Sequence, residues 1–351
     1  MNTRVSPATP ETMAEAARLL ADGQLVAFPT ETVYGLGANA LDEAAVRAIF
    51  SAKDRPADNP LIVHVWNRAQ LDGICEVSPL AEKLMDAFWP GPLTLLMPRK
   101  ETIPLVVTAG LPTVAVRMPS HPVAAELLKT CNLPIAAPSA NRSGKPSPTT
   151  AQHVYTDMDG RIPMIIDGGS CDVGLESTVL DINQSVPCIL RPGGVTQAML
   201  ESVIGPVTVA GSVLRPLQQG EKALSPGMRY QHYAPKGQVT LVEGCEEDVL
   251  RALRLLHDEA EHDQRRACVM CFTEHLDALH DCHPHDIGSR DNPDEVAQRL
   301  FDVLRRLDDE GMDAIFSEVV SAEEMGLAVM NRLGRAAGFR SLRAEDVIDP
   351  V

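Results

Sequence analysis

The chain has 351 residues, 44% of them hydrophobic and 23% charged, which is typical of a globular protein large enough for two domains. A formal net charge of −17 and an aromatic content of 4% argue against a protein whose whole surface binds nucleic acid, because that binding depends on phosphate neutralisation and base stacking. The charge is uneven: residues 1–210 have 15 cationic and 21 acidic side chains, residues 236–351 have 13 and 26, and the basic stretch 211–235 has three and one.

The N-terminus, the apolar runs and the cysteines indicate a cytoplasmic protein that makes no contact with a membrane. Residues 1–10 lack the basic and then apolar layout of a secretory signal peptide, and no run of about 18 apolar residues predicts a membrane span. The eight cysteines are scattered through a large chain, so a disulfide framework is not expected.

Short strands and helices alternate over residues 1–205, which predicts an α/β domain with a large mixed sheet. The predicted strands are rich in Val, Ile and Leu and cover residues 24–32, 60–66, 93–99, 113–119, 134–138, 164–167, 177–183 and 188–191. The predicted helices cover residues 10–21, 42–52, 78–88, 121–131, 149–157 and 196–204. An irregular linker rich in Gly and Pro follows over residues 206–238.

A second, smaller domain is predicted over residues 239–351, where three βα units indicate a Rossmann-like sheet. Its predicted strands are 239–243, 267–272 and 314–320, and its predicted helices are 246–260, 293–309 and 325–337. Cys268 and Cys271, with Cys282, His283 and His285 nearby, resemble a zinc motif. Residues three apart on a strand point to opposite faces, so we expect buried thiols there and no metal site.

The polar run from Phe28 to Gly37 follows a predicted buried strand. Residues 35–40 match the G-x-G-x-x-A fingerprint of dinucleotide-binding proteins. In that fingerprint the first glycine closes the strand and a helix opens at the third position, whereas the helix predicted here begins only near Asp42. We therefore do not expect a nicotinamide or flavin site. Thr30 and Thr32 are interpreted as donors into a polar pocket or as caps of a turn.

Several basic residues lie in or next to predicted helices and strands. Lys53 and Arg55 lie in a proline-rich turn, where a point charge and a planar fork suit a polyanionic ligand, although K-x-R alone is typical of a solvated turn. His64 lies inside an apolar strand, where a histidine is usually structural. Arg117 ends another apolar strand and needs an anionic partner, which is either a bound carboxylate or phosphate or an internal Asp or Glu.

A second dense polar loop, residues 138–147, follows an apolar strand and has the hydroxyls, amide, cations and glycine of a phosphate-binding nest. It does not match the Walker A pattern. Polar residues also meet strand edges at 176–178 and 191–194, where α/β folds tend to build sites. The chain contains neither H-E-x-x-H nor G-x-S-x-G, so zincin and α/β-hydrolase chemistry have no motif here.

Together and in this order, these motifs resemble the YrdC-like domain of the threonylcarbamoyl-AMP synthases, in the long two-domain form. The resemblance rests on PTETVYGLG, K-x-R with Asn-Pro-Leu, His64, VAVRMP, PSAN with its Ser-Gly-Lys-Pro-Ser tail, LRPG, and the linker SPGMRYQHYAP. It implies a YrdC-like twisted mixed sheet with flanking helices, followed by a smaller Rossmann-like α/β domain.

The resemblance also implies a reaction, in which L-threonine, bicarbonate and ATP give L-threonylcarbamoyl-AMP and pyrophosphate. The product would be used by a separate transferase complex for the N6-threonylcarbamoyl modification of adenosine 37 in tRNA, so we expect tRNA binding by this chain to be weak or indirect. Such phosphoryl chemistry relies on positioning and charge neutralisation. We expect Mg²⁺ to arrive on the ATP phosphates, without a metal site made by the protein.

The site residues follow from the same resemblance. ATP would be bound by Arg55, Asn59, Thr113, Ser139, Ser147, Arg191, Tyr230 and Tyr233. The catalytic residues would be Lys53, Arg55, Ser139 and Asn141. L-Threonine would be bound by Thr32, His64, Arg117, Ala137 and Ser177, with Arg117 on the amino-acid carboxylate.

Two further expectations concern the linker and the alternatives. We expect the linker, with Arg229, Tyr230 and Tyr233, to fold over the ATP site as a lid that excludes water. One alternative function is an RNA-binding YrdC-like module. The other is a carbamoyl-adenylate enzyme with a different acceptor, as in hydrogenase-maturation proteins, which carry acylphosphatase-like and zinc-finger regions that this sequence lacks.

Overall fold

The structure, a computed structural model, describes residues 2–215 and 233–349, and these fall into two compact units. The described part of the first unit is 2–143 and 147–213, and that of the second is 144–146, 214–215 and 233–349. The first unit therefore extends beyond residue 205, because the first residues of the predicted linker add a short strand to its sheet. Most of the expected lid, including Arg229 and Tyr230, lies outside the described residues.

The first unit is built on a mixed sheet that has eleven strands among the described residues. In chain order they are β1 (Arg4–Pro7), β2 (Val26–Phe28), β3 (Gly35–Asn39), β4 (Ile62–His64), β5 (Leu93–Pro98), β6 (Thr113–Arg117), β7 (Ile135–Ala136), β8 (Met164–Asp167), β9 (Thr178–Asp181), β10 (Cys188–Arg191) and β11 (Thr208–Val209). Their spatial order is β1-β8-β2-β3-β7-β4-β6-β5-β9-β10-β11. The neighbours β4 and β6 are parallel, whereas β7 is antiparallel to both β3 and β4.

Helices cover this sheet and bury its apolar side chains. They are α1 (Pro10–Ala21), α2 (Glu43–Lys53), α3 (Pro79–Phe88), α4 (Leu105–Thr108), α5 (Pro122–Cys131), α6 (Ala151–Met158) and α7 (Gln197–Ile204). Helices α1 and α5 share one apolar core with Phe28 and Ile135. Helices α2, α3 and α6 contribute Ile49, Leu84 and Val154 to a larger core. Most of these helices start where the sequence places a capping residue, as at Asp42, whose side chain accepts from the Ala44 and Ala45 amides.

The G-x-G-x-x-A segment forms a strand, β3, which the sequence analysis did not predict. A Cβ atom at Gly37 would lie 2.9 Å from Phe28 Cε1 and 2.9 Å from Ile135 Cγ2, so the glycine is required for β2 and β7 to pack here. The expectation that this segment is not a dinucleotide-binding turn agrees with its position inside a sheet. Strand β1 and helix α4 were also not predicted.

The described residues of the second unit form a parallel sheet of five strands. Its elements are β12 (Gln238–Glu243), α8 (Glu246–His262), β13 (Ala267–Cys271), β14 (Pro284–Asp286), α9 (Pro293–Glu310), β15 (Ala314–Glu318), α10 (Met325–Ala336), β16 (Ser341–Arg343) and α11 (Ala344–Ile348). The strand order is β14-β13-β15-β12-β16, with all neighbours parallel. The three predicted βα units are present, and β14, β16 and α11 are additions. Cys268 and Cys271 are buried thiols on β13.

Candidate active site

Three neighbouring strands of the first unit place polar side chains side by side. His64 at the end of β4 pairs in register with Arg117 at the end of β6, and Arg117 pairs with Thr94 of β5. Directly opposed residues of neighbouring strands point to the same face of a sheet, so these three side chains form one row. All three are at least 97% buried, and a charge in such a row requires a partner close by.

The guanidinium of Arg117 is held by three contacts. Its Nη1 donates to Thr32 Oγ1 at 2.8 Å and its Nε donates to the Gly91 carbonyl at 3.2 Å. Its Nη2 lies 2.7 Å from Glu31 Oε1, in an ion pair whose side chains are 3% and 7% exposed. Of the two partners that the sequence allowed for Arg117, the structure contains the internal carboxylate. Burial raises the pKa of Glu31, but the charge and hydrogen bond of Arg117 outweigh it, so that the pKa falls below its ordinary value.

The sequence analysis left open whether Thr30 and Thr32 face a polar pocket or cap a turn, and the structure gives the two residues different roles. Thr30 caps a turn, because its hydroxyl accepts from the Thr32 and Val33 amides and donates to the Val33 carbonyl at 2.6 Å. Since that donation uses its proton, Thr32 is the donor in the 2.8 Å contact between the two hydroxyls. Thr32 also accepts from Arg117, so in this geometry it can offer a ligand a lone pair and no proton.

His64 is neutral in this environment. Its Nδ1 lies 3.2 Å from the carbonyl of Ile62, and its ring is 3% exposed. Burial, assisted by the positive charge of Arg117, lowers its pKa to about 3. The histidine therefore acts as a neutral hydrogen-bonding group beside Arg117 at neutral pH.

Ser177 connects this row to the next cation along the sheet. Its Oγ lies 2.8 Å from Thr94 Oγ1 and accepts from Arg191 Nη2 at 3.1 Å, while its carbonyl accepts from Arg191 Nε at 3.0 Å. The close approach of the backbone at residue 193 to the backbone of Ser177 and Thr178 requires a glycine, because a Cβ atom at Gly193 would lie 2.5 Å from the Thr178 backbone nitrogen. Ser177 thus lies between Arg117 and Arg191, which the sequence assigned to different ligands.

Lys53 joins helix α2 to the polar loop 138–147. It is 2% exposed, and its Nζ donates to the carbonyls of Ser139 and Asn141. Ser139 Oγ in turn donates to Asn141 Oδ1 at 2.6 Å. The loop is also tied to the first polar run, since the Ala140 amide donates to the Tyr34 carbonyl at 2.8 Å. Lys53 is therefore a buried residue that holds the loop, and not a cation on a solvated turn.

Asn59 has the clearest unmet hydrogen-bonding capacity in this region. It is 1% exposed, and neither its amide nitrogen nor its amide oxygen has a hydrogen-bond partner among the described residues. Arg55 Nη2 donates to the carbonyls of Asn59 and Pro60, at 3.2 and 3.3 Å, which fixes the turn. A buried amide with no partner costs free energy, and a ligand that hydrogen-bonds to it recovers that cost.

The remaining predicted residues take the following positions. Ser147 is fully buried and donates to the carboxylate of Glu176. Ala137 donates its amide to the Ile62 carbonyl at 2.9 Å, next to His64. Thr113 starts β6 and is partly exposed. Tyr230 lies outside the described residues, so its contact with ATP stays a prediction.

Tyr233 belongs to the second unit. Its ring is 4% exposed, with a centroid 5.1 Å from that of Phe301, and the guanidinium carbon of Arg332 lies 6.0 Å from the ring centroid. The contact predicted between Tyr233 and ATP is not tested by this packing and stays a prediction.

Three polar residues of the site were not assigned by the sequence analysis: Glu31, Thr94 and Glu176. Glu176 was noted only as part of a polar strand edge, and Glu31 and Thr94 were not singled out. Glu31 lies between two threonines, Thr94 is a hydroxyl inside an apolar strand, and Glu176 precedes Ser177. Their importance comes from partners 29 to 86 positions away in the chain, which spacing does not reveal.

Among residues 2–215 and 233–349, no helix is both long enough and apolar enough to cross a membrane.

Comparisons with known proteins cover both units. Residues 18–193 match the family model described as telomere recombination, which unites the Sua5, YciO and YrdC proteins, and residues 195–338 match the C-terminal domain of threonylcarbamoyl-AMP synthase. The threonylcarbamoyl-AMP synthase of Pyrococcus abyssi is 47% identical over 93% of this chain and 94% of its own. That of Bacillus subtilis is 46% identical over 94% of both chains.

A solved structure of P. abyssi Sua5 complexed with L-threonine matches with a TM-score of 0.91 and 44% identity, over 98% of this chain and 99% of its own. A second structure of that protein, a variant in which a histidine and the tyrosine after it are replaced by alanine, also has a TM-score of 0.91, at 43% identity and with 97% and 98% coverage. These matches extend across both units, and the chain belongs to the threonylcarbamoyl-AMP synthase family in its long two-domain form.

Proposed function

We propose that this chain is an L-threonylcarbamoyladenylate synthase, a nucleotidyltransferase that makes L-threonylcarbamoyl-AMP and pyrophosphate from L-threonine, bicarbonate and ATP. One observation in particular supports this function. Ser177 contacts Arg191, assigned to the nucleotide, and also Thr94, which pairs with Arg117 of the amino-acid pocket. The two substrates would therefore meet at Ser177, as the transfer of an adenylyl group to an amino-acid derivative requires.

The amino acid would lie over the row of β4, β6 and β5. Arg117 would bind its carboxylate, using the donors that Gly91, Thr32 and Glu31 leave available. Neutral His64, the Thr32 lone pair, the Ala137 backbone and Ser177 would bind its remaining polar groups. A pocket with one cation and one carboxylate is neutral overall, which suits a zwitterion.

The nucleotide would lie on the side of Lys53, Arg55 and loop 138–147. The Asn59 amide offers an unused donor and an unused acceptor, and Arg191 provides a charge at the boundary with the amino acid. Ser139, Asn141 and Ser147 are held in the same region by Lys53 and Glu176. Thr113, Tyr230 and Tyr233 remain part of this proposal as further contacts to ATP.

The reaction proceeds without a covalent protein intermediate. The amine of threonine, once deprotonated, attacks the bicarbonate carbon, and loss of water leaves N-carboxythreonine. A carbamate oxygen of that species attacks the α-phosphorus, and the bond to pyrophosphate breaks. Arg117, Arg191 and Lys53 would orient the reactants and balance the negative charges near the reacting atoms. Carbamates decompose readily, so the pocket must also exclude water.

Mg²⁺ would enter on the phosphates of ATP, which is a common mode of binding for this ion. Ser147 Oγ and the Glu176 carboxylate, which are hydrogen-bonded to each other, are oxygen donors of the type that Mg²⁺ accepts. When bound, the ion would neutralise phosphate charge and stabilise the departing pyrophosphate.

The product would pass to a separate transferase complex that modifies adenosine 37 of tRNA. The net charge of −17 supports weak or indirect binding of tRNA by this chain, because phosphate groups are attracted to cationic surfaces.

The test measures pyrophosphate release from ATP and bicarbonate with L-threonine, with L-serine and with no amino acid. We expect release to depend on threonine and to be clearly slower with serine. Release that is indifferent to the amino acid would contradict the proposed function. Salt-sensitive tRNA binding that is unaffected by ATP and threonine, without any release, would instead support an RNA-binding module.

A further inference from the structure

The buried carboxylate of Glu31 takes no part in the bond-making steps of the proposed reaction. It lies next to Thr32 and forms an ion pair with Arg117, the residue proposed to bind the substrate carboxylate. Apart from this ion pair, neither carboxylate oxygen has a hydrogen-bond partner of ordinary geometry within the described residues. Arg117 and, more weakly, the backbone groups of Glu31 and Ser120 favour its charged form against the cost of burial. A carboxylate in the interior is costly to keep charged, which indicates that its charge serves a purpose.

We propose that Glu31 is a positioning residue that determines how the pocket receives an amino acid, by fixing the orientation of Arg117 and neutralising its charge in the empty site. This inference rests on the proposed function. Glu31 acts through Arg117 and is not a catalytic residue, since nothing places it against the substrate.

The donors of Arg117 support the orienting part of the proposal. A guanidinium has five N–H donors in one plane. Hydrogen bonds to the Gly91 carbonyl and to Thr32 use two of them, on Nε and Nη1, and the 2.7 Å ion pair with Glu31 holds Nη2 by charge, so that each nitrogen of the group has a fixed neighbour. The N–H groups that these contacts leave over among the described residues are held in a fixed direction, so threonine binding does not have to order them.

The charge of the pocket supports the second part. Neutral His64 adds no charge beside Arg117, and Glu31 cancels the charge of Arg117. Without Glu31 the empty pocket would contain an uncompensated buried cation, which attracts any small anion from solution. Such an anion would occupy the position of the substrate carboxylate, so threonine would have to displace it. Glu31 therefore keeps the empty pocket free for a zwitterion.

These effects predict the direction of the change in Glu31→Gln. The uncompensated charge would attract the threonine carboxylate more strongly, but the same charge attracts competing anions and Arg117 is held less firmly. We expect the loss to outweigh the gain, with the Kd for L-threonine about tenfold higher, a factor within the usual coupling of residues in one ion-pair network. The KM for ATP should change less than twofold.

The experiment is calorimetric titration of L-threonine into the full chain and four variants: Glu31→Gln, Glu31→Asp, Arg117→Met and the double variant Glu31→Gln/Arg117→Met. Glu43→Gln, which breaks an exposed ion pair with Arg47 on helix α2, is the control for loss of one carboxylate and should bind threonine normally. Each titration is repeated in sodium formate and in sodium gluconate at equal ionic strength. Both anions are carboxylates, but formate is small enough to enter the closed pocket, whereas the long polyhydroxy chain of gluconate hinders its entry.

The proposal expects formate to weaken threonine binding by Glu31→Gln far more than by the wild-type chain. It also expects the double variant to bind threonine as Arg117→Met does, because Glu31 acts only through Arg117. Glu31→Asp keeps the negative charge, but its shorter side chain contacts Arg117 less closely. It should therefore weaken threonine binding without making that binding sensitive to formate. These readouts differ from those of a merely structural residue, whose loss would change the ATP and threonine constants together.

Two results would overturn the proposal. In one, Glu31→Gln binds threonine as the wild-type chain does, in either salt. In the other, the effects of the two substitutions add fully in the double variant, which would mean that Glu31 touches the substrate itself. If Glu31→Gln fails to fold, the double variant, which has no unpaired charge, and Glu31→Asp still test the idea. Failure of the wild-type chain to bind threonine would instead refute the proposed function.

Discussion

His64 in the first unit and His275 in the second are both buried imidazoles near charged side chains, but the two surroundings shift the histidine pKa in opposite directions. Burial, assisted by the charge of Arg117, lowers the pKa of His64 and keeps the histidine neutral. His275 has its Nδ1 2.8 Å from one oxygen of Glu318 and its Nε2 3.4 Å from Glu246. Although burial alone would lower the pKa of His275, the two carboxylates raise it above its ordinary value.

The contrast distinguishes a pocket from a structural network. Around His275 the polar groups satisfy one another's hydrogen-bonding capacity, since Glu318 also accepts from the Phe272 amide at 2.8 Å. In the first unit the Asn59 amide has no partner among the described residues, and Arg117 retains donors. Unused hydrogen-bonding capacity inside a protein indicates a ligand site, whereas polar groups that satisfy one another indicate a structural network.

The largest effect is expected for Lys53→Met. Loss of the ammonium leaves the Ser139 and Asn141 carbonyls without their donor, at a cost of about 1–3 kcal/mol for each buried acceptor. The loop then no longer presents its hydroxyls to ATP. Pyrophosphate release at low ATP concentration should fall by about 100-fold, and the urea midpoint of the first unit should also fall.

Arg47→Met is the matched control for this substitution. Arg47 lies on the same helix and is 61% exposed in an ion pair with Glu43, so its loss should change neither the rate nor the midpoint appreciably. A Lys53→Met variant with normal stability and a weakened affinity for ATP would place Lys53 on the nucleotide alone, and not on the loop.

The second prediction concerns acid. Because the folded pKa of His64 is about 3 and the unfolded value is near 6.5, the unfolded chain binds the extra proton first as the pH falls. The first unit should lose about 1.4 kcal/mol of its free energy of unfolding for each pH unit below 6.5, until about pH 3. His64→Gln should reduce this slope when the urea midpoint is followed from pH 7 to pH 4. An unchanged slope would show that carboxylates dominate the acid response.

Elements that depend on local sequence were predicted, whereas elements and contacts that depend on distant parts of the chain were not. Helix α1 was predicted with its observed bounds because a capping residue, a first-turn proline and an apolar stripe act locally. Strand β3 was missed because Gly35 and Gly37 are poor strand formers, chosen for close packing across the sheet. The structure places His64 and Arg117 of two separate motifs side by side on β4 and β6, while the roles assigned to the motif residues stay predictions. The partner of Arg117 was not predictable, since it lies 86 positions away and residue types alone allowed either partner.

The third prediction reverses the usual effect of removing a polar group. Asn59→Leu replaces a buried amide that lacks partners with an apolar side chain of similar size, so the ligand-free protein should be as stable as the wild type or more so. Its affinity for ATP should fall about tenfold, measured by titration of a non-hydrolysable analogue.

Asn183→Leu is the control for this change. The Asn183 amide already donates to the Leu96 carbonyl and to Asp181, so its loss should lower stability slightly and leave the affinity for ATP unchanged. If Asn59→Leu were destabilised as Asn183→Leu is, the idea of an amide reserved for a ligand would be wrong.

The smallest expected effect is the pH dependence of stability in the second unit, where stability falls as the pH rises and not as it falls. A histidine whose folded pKa is raised stabilises the protein fully below its unfolded value near 6.5, and this contribution is lost as the pH rises through the folded pKa. The urea midpoint of the second unit should therefore decline from pH 6 towards pH 9, and His275→Gln should abolish most of that decline. His262→Gln should preserve it, because His262 is 91% exposed and lies 3.8 Å from Asp263. A decline that survives in His275→Gln would mean that the His275–Glu318 pair does not contribute this pH-dependent stability. The distinction between a closed network and an open pocket would then rest on the first unit alone.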